Sequence, residues 1–311
     1  MSTAFTFPGQ GSQAVGMGKA LAETYGAARA VFEEVDEALS QKLSTLMWEG
    51  PEDELTFTEN AQPALMAVSM AVMQVLQEEA GYSLDGNAAY IAGHSLGEYS
   101  ALAAAGTFSL ADTARLLKVR GRAMQQAVPV GEGAMAALLG LDFDVASEVA
   151  DAAAEGEVCQ AANDNAPGQV VVSGAKAAVE RAVEIAKEKG ARRALLLPVS
   201  APFHCALMQP AAEAMAEALA AVEMNAPVVP LVANVTASQL TAPDDIRKSL
   251  VKQVTGMVRW RECVGYMAGK GVTTVVEAGA GKVLSGLARR IDKELTATPL
   301  GTPEEIAAFT A

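Results

Sequence analysis

The sequence carries one short group of residues that could perform nucleophilic catalysis, the G-H-S-L-G of Gly93–Gly97. This G-x-S-x-G pattern lies between a predicted strand, Ala88–Ala92, and a predicted helix, Glu98–Ala105. That context is typical of a nucleophile elbow, where glycines permit a sharp turn that exposes the serine hydroxyl. The backbone N–H of Leu96, at the start of the helix, would then point to a developing oxyanion. The motif predicts acyl chemistry through Ser95.

A serine hydroxyl needs a general base, and the chain has two histidines, His94 and His204. Because His94 is the immediate neighbour of Ser95 on a sharp turn, its side chain is expected to point away from the serine oxygen. His204 lies in a predicted loop after Pro202, downstream of the serine as the base does in α/β hydrolases. By elimination, His204 is the predicted base. No Asp or Glu between the two has a recognisable context, so the group that orients the imidazole stays open.

A second glycine-rich turn, Pro8–Gln13, follows the predicted strand Ala4–Phe7. From Gly9 it also has the spacing G-x-G-x-x-A of a dinucleotide-binding fingerprint, with Glu33 and Glu34 roughly where a ribose-binding acid would fall. The same turn could instead supply a second N–H to an oxyanion hole. Both interpretations stay open at this point, although a dinucleotide site would leave the serine elbow unexplained.

Hydrophobic periodicity and turn residues divide the rest of the chain into alternating helices and strands. Between Pro129 and Pro198 their order is βαββαβ, that of a ferredoxin-like unit. On either side the pattern is typical of an α/β domain. The further predicted helices are Ala14–Gly26, Arg29–Leu39, Pro63–Ala80, Leu110–Val128, Asp144–Ala154, Ala177–Lys189, Leu207–Val222, Asp244–Val254, Trp260–Ala268 and Lys282–Arg290. The further predicted strands are Gly133–Gly140, Val158–Ala162, Gln169–Ser173, Arg193–Val199, Val228–Ala233 and Thr273–Val276.

Composition narrows the possible classes of protein. The 311 residues are 51% hydrophobic, which excludes a disordered chain, and the net charge of −14 argues against non-specific binding to nucleic acid or anionic membranes. The three cysteines, Cys159, Cys205 and Cys263, are widely spaced and form no CxxC, so disulfide and zinc sites are disfavoured and a reducing cytosol is expected. Two histidines make metal catalysis unattractive. No leader or membrane-spanning stretch is expected.

Six separated segments resemble the malonyl-CoA:acyl carrier protein transacylases of bacterial fatty acid synthesis, to which the acyltransferase domains of polyketide synthases are closely related. The segments occur in the family's order, within residues 4 to 290. They are Phe7–Gln13, Gly93–Leu102, Arg120–Gly121, Asn165–Val170, His204–Met208 and Gln253–Val254. The resemblance implies an α/β-hydrolase-like domain with a mostly parallel sheet, over residues 1–128 and 199–311. A ferredoxin-like subdomain, over residues 129–198, would be inserted into it.

The resemblance also implies a role for each matching residue. Ser95 would be the acylated nucleophile and His204 the base. The backbone N–H groups of Gln10 and Leu96 would form the oxyanion hole. The histidine would be oriented by the main-chain carbonyl of Gln253 rather than by a carboxylate, which explains why no acid stands out in the sequence.

The resemblance assigns Arg120 to the free carboxylate of a malonyl group, and physical chemistry supports the assignment. A guanidinium offers a carboxylate two parallel N–H donors, and exclusion of water strengthens the pair. The alternative is an arginine on a helix surface beside Lys118 and Arg122. In the polyketide relatives a phenylalanine before the histidine accompanies malonyl and a serine accompanies methylmalonyl, so Phe203, together with Leu96, favours malonyl.

The implied activity is ping-pong transfer of malonyl from CoA to the phosphopantetheine thiol of acyl carrier protein in the cytoplasm, with no metal and no cofactor of its own. Carrier proteins are generally acidic, so docking needs a local basic surface. Candidates are Lys187, Lys189, Arg192, Arg193, Lys282, Arg289 and Arg290. The alternatives are a trans-acting polyketide synthase acyltransferase, a serine esterase or thioesterase on the same scaffold, an NAD-dependent oxidoreductase and a non-catalytic docking subunit.

Overall fold

Two β-sheets organise the computed structural model, which describes residues 2–199 and 201–310. The strands are β1 Ser2–Phe7, β2 Tyr90–Gly93, β3 Gly133–Leu139, β4 Cys159–Ala166, β5 Gln169–Ala175, β6 Arg193–Leu196, β7 Leu231–Ala233, β8 Ser238–Leu240, β9 Val272–Ala278 and β10 Thr296–Leu300. The helices are α1 Lys19–Thr24, α2 Gly26–Leu39, α3 Leu43–Glu49, α4 Glu52–Thr56, α5 Thr58–Ala80, α6 Gly97–Ala104, α7 Leu110–Gln126, α8 Phe143–Ala154, α9 Lys176–Glu188, α10 Gln209–Ala220, α11 Pro243–Thr255, α12 Trp260–Gly269, α13 Val283–Ile291 and α14 Pro303–Thr310, with a 3-10 turn at Ala206–Met208.

The larger sheet has six strands in the order β10-β9-β1-β2-β7-β8. Its strands run parallel except for β8, which is antiparallel to β7. Successive residues of β1 enter different apolar clusters, because Ala4 packs with the Trp260 side of the sheet whereas Phe5 and Phe7 pack with the α5 side. Burial on both faces explains why the central strands have apolar runs instead of alternating polarity.

The smaller sheet has four strands in the order β4-β5-β3-β6, all antiparallel to their neighbours. Helices α8 and α9 pack against it through a separate apolar cluster that includes Val149, Val172 and Val183. A mostly parallel sheet with a small antiparallel βαββαβ unit confirms the predicted fold class. The domain limits at residues 129 and 199 stay a prediction. Met1, Ser200 and Ala311 belong to the predicted domain ranges but lie outside the described residues.

Strand β4 joins the two units next to the serine elbow. Asn163 forms a parallel bridge with Val258, and the N–H of Asp164 donates to the Val258 carbonyl at 3.0 Å. The Arg261 guanidinium pairs with the buried Asp164 carboxylate at 2.7 Å. Because these contacts come from α12 and the turn before it, they hold the end of β4 against the larger domain. The following residue, Asn165, is thereby placed beside the elbow.

Several predicted elements differ from the structure for local reasons. The helix predicted from Ala14 begins only at Lys19, because Gly16 and Gly18 have φ angles of 95° and 77° that no α-helix contains. The helix predicted from Pro63 begins at Thr58 and contains that proline. Helices α3, α4 and α14 and the short strands β8 and β10 were not predicted. Strand β10 contains Pro299, which is tolerated because this strand lies at the sheet edge.

Candidate active site

Ser95 occupies the sharp turn between β2 and α6 and has a φ angle of 54°, in the left-handed region. The flanking glycines are required by close backbone contacts. A Cβ at Gly93 would lie 1.9 Å from the carbonyl carbon of Gly97, and a Cβ at Gly97 would lie 2.2 Å from the Phe7 carbonyl oxygen. The Ser95 N–H donates to the side-chain oxygen of Asn234 at 2.8 Å, which holds the turn. The predicted elbow is present.

His204 is buried beside the serine, and the two side chains are hydrogen-bonded. The Ser95 Oγ lies 2.8 Å from Nε2 of His204. The other ring nitrogen, Nδ1, faces the main-chain carbonyls of Gln253 at 2.9 Å and Gly256 at 3.1 Å. Because carbonyls only accept, Nδ1 carries the proton and Nε2 presents its lone pair to the serine hydroxyl. This tautomer is the one that general-base catalysis requires, and no carboxylate is needed to select it.

The imidazole is neutral in the resting site. Burial, followed by the nearby positive charge of Arg120, lowers the pKa of His204 to about 3, although the hydrogen bonds to the two carbonyls act in the opposite direction. A neutral base is available throughout the physiological pH range. The catalytic step must therefore be accompanied by stabilisation of the imidazolium, which the carbonyls of Gln253 and Gly256 can provide.

Arg120 is 1% exposed and reaches the nucleophile, so it is not a surface arginine. Its Nη2 donates to Ser95 Oγ at 3.1 Å and to Oε1 of Gln253 at 2.9 Å. Its Nη1 donates to Oε1 of Gln62 at 2.7 Å. Two neutral amides thus orient the guanidinium without neutralising its charge. A buried cation held this way is prepared to bind an anionic group next to the serine.

The glycine-rich turn after β1 packs on the elbow. A Cβ at Gly9 would lie 2.7 Å from the His94 carbonyl oxygen, so the turn can approach only with a glycine there. Within the described residues, no acceptor engages the backbone N–H of Gln10 or of Leu96, the residue immediately before α6. Both groups can therefore donate to an oxyanion, and that role stays a prediction. The next helix begins only at Lys19, unlike the immediate strand–turn–helix of a dinucleotide site.

Other polar residues at the site were missed by sequence reasoning or had no assigned role. His94 points away from the serine, as predicted, and its Nε2 lies 2.8 Å from Oδ1 of Asn165. Asn234 bridges the elbow, because its side chain accepts from Ser95 N–H and donates to the Gly93 carbonyl at 2.7 Å. It follows a predicted strand directly. The carboxyl ends of parallel strands are where sites form, and that signal could have identified Asn234.

A cavity of about 450 Å³ contains the serine, the histidine and the arginine. Its apolar wall is formed by Met124, Met135, Val171, Leu197 and Phe203. A second cavity, of about 640 Å³, shares Gln10, Thr56, Pro198 and Val199 with the first. Because the two cavities share these lining residues, they adjoin and form one slot that leads from the surface to the nucleophile.

Comparison with known proteins agrees with this geometry. A sequence profile described as the acyl transferase domain matches residues 4–295. The chain belongs to the acyl transferase family. A relative from Bacillus subtilis named malonyl CoA-acyl carrier protein transacylase is 48% identical over 304 residues, 97% of this chain and 94% of that protein.

Solved structures of the family have the same fold as this acyltransferase. An acyl-carrier-protein S-malonyltransferase from Bartonella henselae has a TM-score of 0.97 and 61% identity, covering 99% of this chain and 98% of that chain. A malonyl-transacylase in complex with a type II polyketide synthase acyl-carrier protein has a TM-score of 0.96 and 42% identity, covering 99% and 98%. The predicted family is thereby confirmed.

The predicted basic surface of the acyltransferase is exposed, but its members differ in their partners. Lys187 pairs with Glu184 at 2.7 Å and Lys189 lies 3.9 Å from Glu148. Arg289 and Arg290 donate to main-chain or amide oxygens. The remaining three, Arg192, Arg193 and Lys282, form no ion pair within the described residues. In residues 2–199 and 201–310 every helix is too short or too polar to span a bilayer.

Proposed function

We propose that this acyltransferase moves a malonyl group from CoA to the phosphopantetheine thiol of acyl carrier protein, for fatty acid synthesis in the cytoplasm. The observation that carries the proposal is a Ser95–His204 pair with the buried Arg120 guanidinium, held by two neutral amides, 3.1 Å from the serine oxygen. That spacing leaves room for a carboxylate only on a very short acyl chain. The names of the relatives support the same substrate pair.

In the first half-reaction, Nε2 of His204 accepts the hydroxyl proton while the Ser95 oxygen attacks the malonyl thioester carbon. The tetrahedral oxyanion is bound by the N–H groups of Gln10 and Leu96. The C–S bond then breaks, and the proton on His204 passes to the departing CoA thiolate. The malonyl group remains as an ester on Ser95.

In the second half-reaction the carrier's phosphopantetheine thiol enters the slot that CoA has left. His204 accepts the thiol proton, and the sulfur attacks the ester carbon. Collapse of the second oxyanion breaks the bond to Ser95, whose oxygen recovers the proton from His204. Both substrates bring their own pantetheine arm, so these steps need no cofactor held by the chain.

Binding of the malonyl carboxylate also strengthens the base. The positive charge of Arg120 is one cause of the low pKa of His204, after burial. When a carboxylate pairs with that guanidinium, its effect on the imidazole is reduced and the pKa of His204 rises. An acetyl group cannot do this. The substrate that carries the correct charge therefore makes proton transfer from Ser95 easier.

The decisive experiment is intact-protein mass spectrometry in two stages. Mixing with malonyl-CoA should add the mass of one malonyl group, and addition of carrier protein bearing phosphopantetheine should then remove it and transfer it to the carrier. A carrier protein without the arm is the control and should leave the adduct in place. Loss of the adduct to water before any carrier is added would instead identify an esterase or thioesterase.

A carrier-docking surface around Arg192 and Arg193 is supported by the arrangement of the inserted unit. A Cβ on Gly140 would lie 3.2 Å from Arg192, and Gly140 N–H donates to the Gly168 carbonyl. Arg290 donates to the residues on either side of Gly168. Positive side chains from both units thus meet around the turn that joins β4 to β5. An acidic carrier could contact them together.

Reversing two of these charges should weaken carrier binding selectively. Arg192→Glu/Arg193→Glu should raise KM for carrier protein about three- to tenfold, with a smaller effect on KM for malonyl-CoA. The control variant Arg115→Glu/Lys248→Glu changes the net charge equally on exposed helices of the larger domain. Steady-state kinetics at several salt concentrations would measure both. Equal effects of the two double variants, or equal effects on both substrates, would argue against this docking surface.

A further inference from the structure

Glu98 is a fully buried carboxylate that the mechanism above does not use. It lies in the first turn of α6, immediately after the elbow. Its Oε2 accepts hydrogen bonds from the Asn234 N–H at 2.9 Å and from the Gln253 side-chain amide at 3.1 Å. Its Oε1 is buried and has no hydrogen-bond partner within the described part of the chain. A charged oxygen without a donor is costly to bury, so Oε1 favours binding a proton.

One side-chain amide connects this carboxylate to the substrate-binding arginine. Nε2 of Gln253 donates to Glu98, and Oε1 of the same amide accepts from Arg120 at 2.9 Å. Among the described residues, no carboxylate lies within ion-pair distance of Arg120. Glu98 is therefore the acid that offsets the guanidinium charge before a substrate binds, and the Gln253 amide lies between the two groups.

A substrate carboxylate on Arg120 would introduce a second negative charge into the same buried network. We propose that Glu98 takes up one proton from solvent when the malonyl carboxylate binds to Arg120, so that the network holds a single negative charge. The proton binds to Oε1, the oxygen without a donor, while Oε2 keeps its two hydrogen bonds. Glu98 thus loses its negative charge when the substrate carboxylate brings one. It acts on the substrate only through Gln253 and Arg120, as a positioning residue. This inference rests on the proposed function.

The electrostatics of the site agree with such an exchange. Burial raises the pKa of Glu98 to about 7, although its hydrogen bonds and Arg120 lower it. A bound malonyl carboxylate would raise it further. Below about pH 7 Glu98 is already neutral and malonyl binds without proton uptake. Above that pH the proton must come from solvent, so the affinity for malonyl falls as the pH rises.

The other titratable groups near Glu98 do not change charge in this range. Burial raises the pKa of Tyr99, on the same helix, and of Cys263 on α12, so both stay neutral. Burial lowers the pKa of His94 and His204, which also stay neutral. Arg120 on α7 stays charged. Strands β1 and β7 contain no charged residue, and α5 has its acids near its ends, at Glu59, Glu78 and Glu79.

Titration calorimetry tests the proposal directly, with the Ser95→Ala variant used to prevent turnover. Binding of malonyl-CoA, measured at about pH 7.5 in two buffers of different ionisation enthalpy, should show uptake of a fraction of one proton, whereas acetyl-CoA should show none. Between about pH 6 and pH 8.5, Kd for malonyl-CoA should rise severalfold, up to about tenfold if malonyl raises the pKa of Glu98 by one unit. Malonyl binding with no more uptake than acetyl-CoA would overturn the proposal.

Adding Glu98→Gln to this background separates charge from geometry. Its amide oxygen can still accept from Asn234 and Gln253, but the side chain cannot titrate, so proton uptake and the pH dependence of Kd should disappear. The control Glu277→Gln changes another buried carboxylate, which accepts from Leu284 and Ser285 N–H, and should keep both. Uptake that persists in Glu98→Gln would also overturn the proposal. If the malonyl adduct forms on the unaltered enzyme but no proton is taken up, only this inference fails. If Glu98→Gln does not fold, the comparison of malonyl-CoA with acetyl-CoA decides alone.

Discussion

Ser95→Ala is expected to abolish the malonyl adduct and to lower kcat/KM for malonyl transfer about 10⁴-fold or more, because no other group can receive the acyl chain. The substitution should lower the rate of acyl transfer without changing the structure of the turn. The elbow is held through the backbone N–H of Ser95, which donates to Asn234, and an alanine keeps that bond. Intact mass after mixing with malonyl-CoA measures the adduct, and a coupled assay of free CoA measures the rate.

Ser100→Ala is the matched control for that substitution. Ser100 lies on α6, is fully buried, and its Oγ has no hydrogen-bond partner within the described residues. Removal of this hydroxyl should leave the adduct and the rate nearly unchanged. A malonyl adduct that survives in Ser95→Ala, at the stoichiometry of the unaltered chain, would disprove the assignment of the nucleophile.

Arg120→Ala is expected to lower the preference for malonyl-CoA over acetyl-CoA about ten- to a hundredfold, equivalent to about 1.5–3 kcal/mol for a charge-assisted pair. The malonyl group loses its partner, and acetyl loses nothing of that kind. The variant also leaves the amides of Gln62 and Gln253 without a donor, so its melting temperature should fall. When the two thioesters compete, mass spectrometry gives the relative abundance of the malonyl and acetyl adducts. That ratio measures the selectivity independently of the fraction of the protein that is folded.

Two further variants separate charge from shape at this position. Arg120→Lys keeps the charge but lacks the planar pair of donors, so its selectivity should lie between those of the unaltered enzyme and Arg120→Ala. Arg122→Ala removes an exposed arginine of the same helix that pairs with Glu59, and its selectivity should not change. If Arg120→Ala retained full preference for malonyl, another group would have to bind the carboxylate.

The elbow and the fold class could be predicted because each depends on neighbours in the chain. The glycines around Ser95 are required by contacts within five consecutive residues and with the end of the adjacent strand, and such a turn has a recognisable pattern. The βαββαβ order of the inserted unit follows from periodicity. Two strands were not predicted because their sequences lack the usual strand pattern. Ser238–Leu240 is short and polar, and β10 contains Pro299.

The polar network was hidden because its members are far apart in sequence. Gln253 is 158 residues from Ser95 and 133 from Arg120, yet its side chain and carbonyl contact both of these residues and His204. Its orienting role came from family resemblance and not from any local pattern. Asn234 and Glu98 had no assigned role, because the function of an amide or a buried acid depends on its hydrogen-bond partners in the folded structure.

By itself, the sequence predicted a serine nucleophile, a base chosen from two histidines, and an α/β fold with an inserted unit, because these predictions depend on local turns, on the number of histidines and on periodicity. Tertiary structure alone decided that Arg120 is buried beside the serine, that the Gly256 carbonyl joins that of Gln253 at the histidine, and that one amide separates Glu98 from the guanidinium. Burial and long-range contacts set the charges and protonation states of these groups, and neither is encoded in the spacing of residues along the chain.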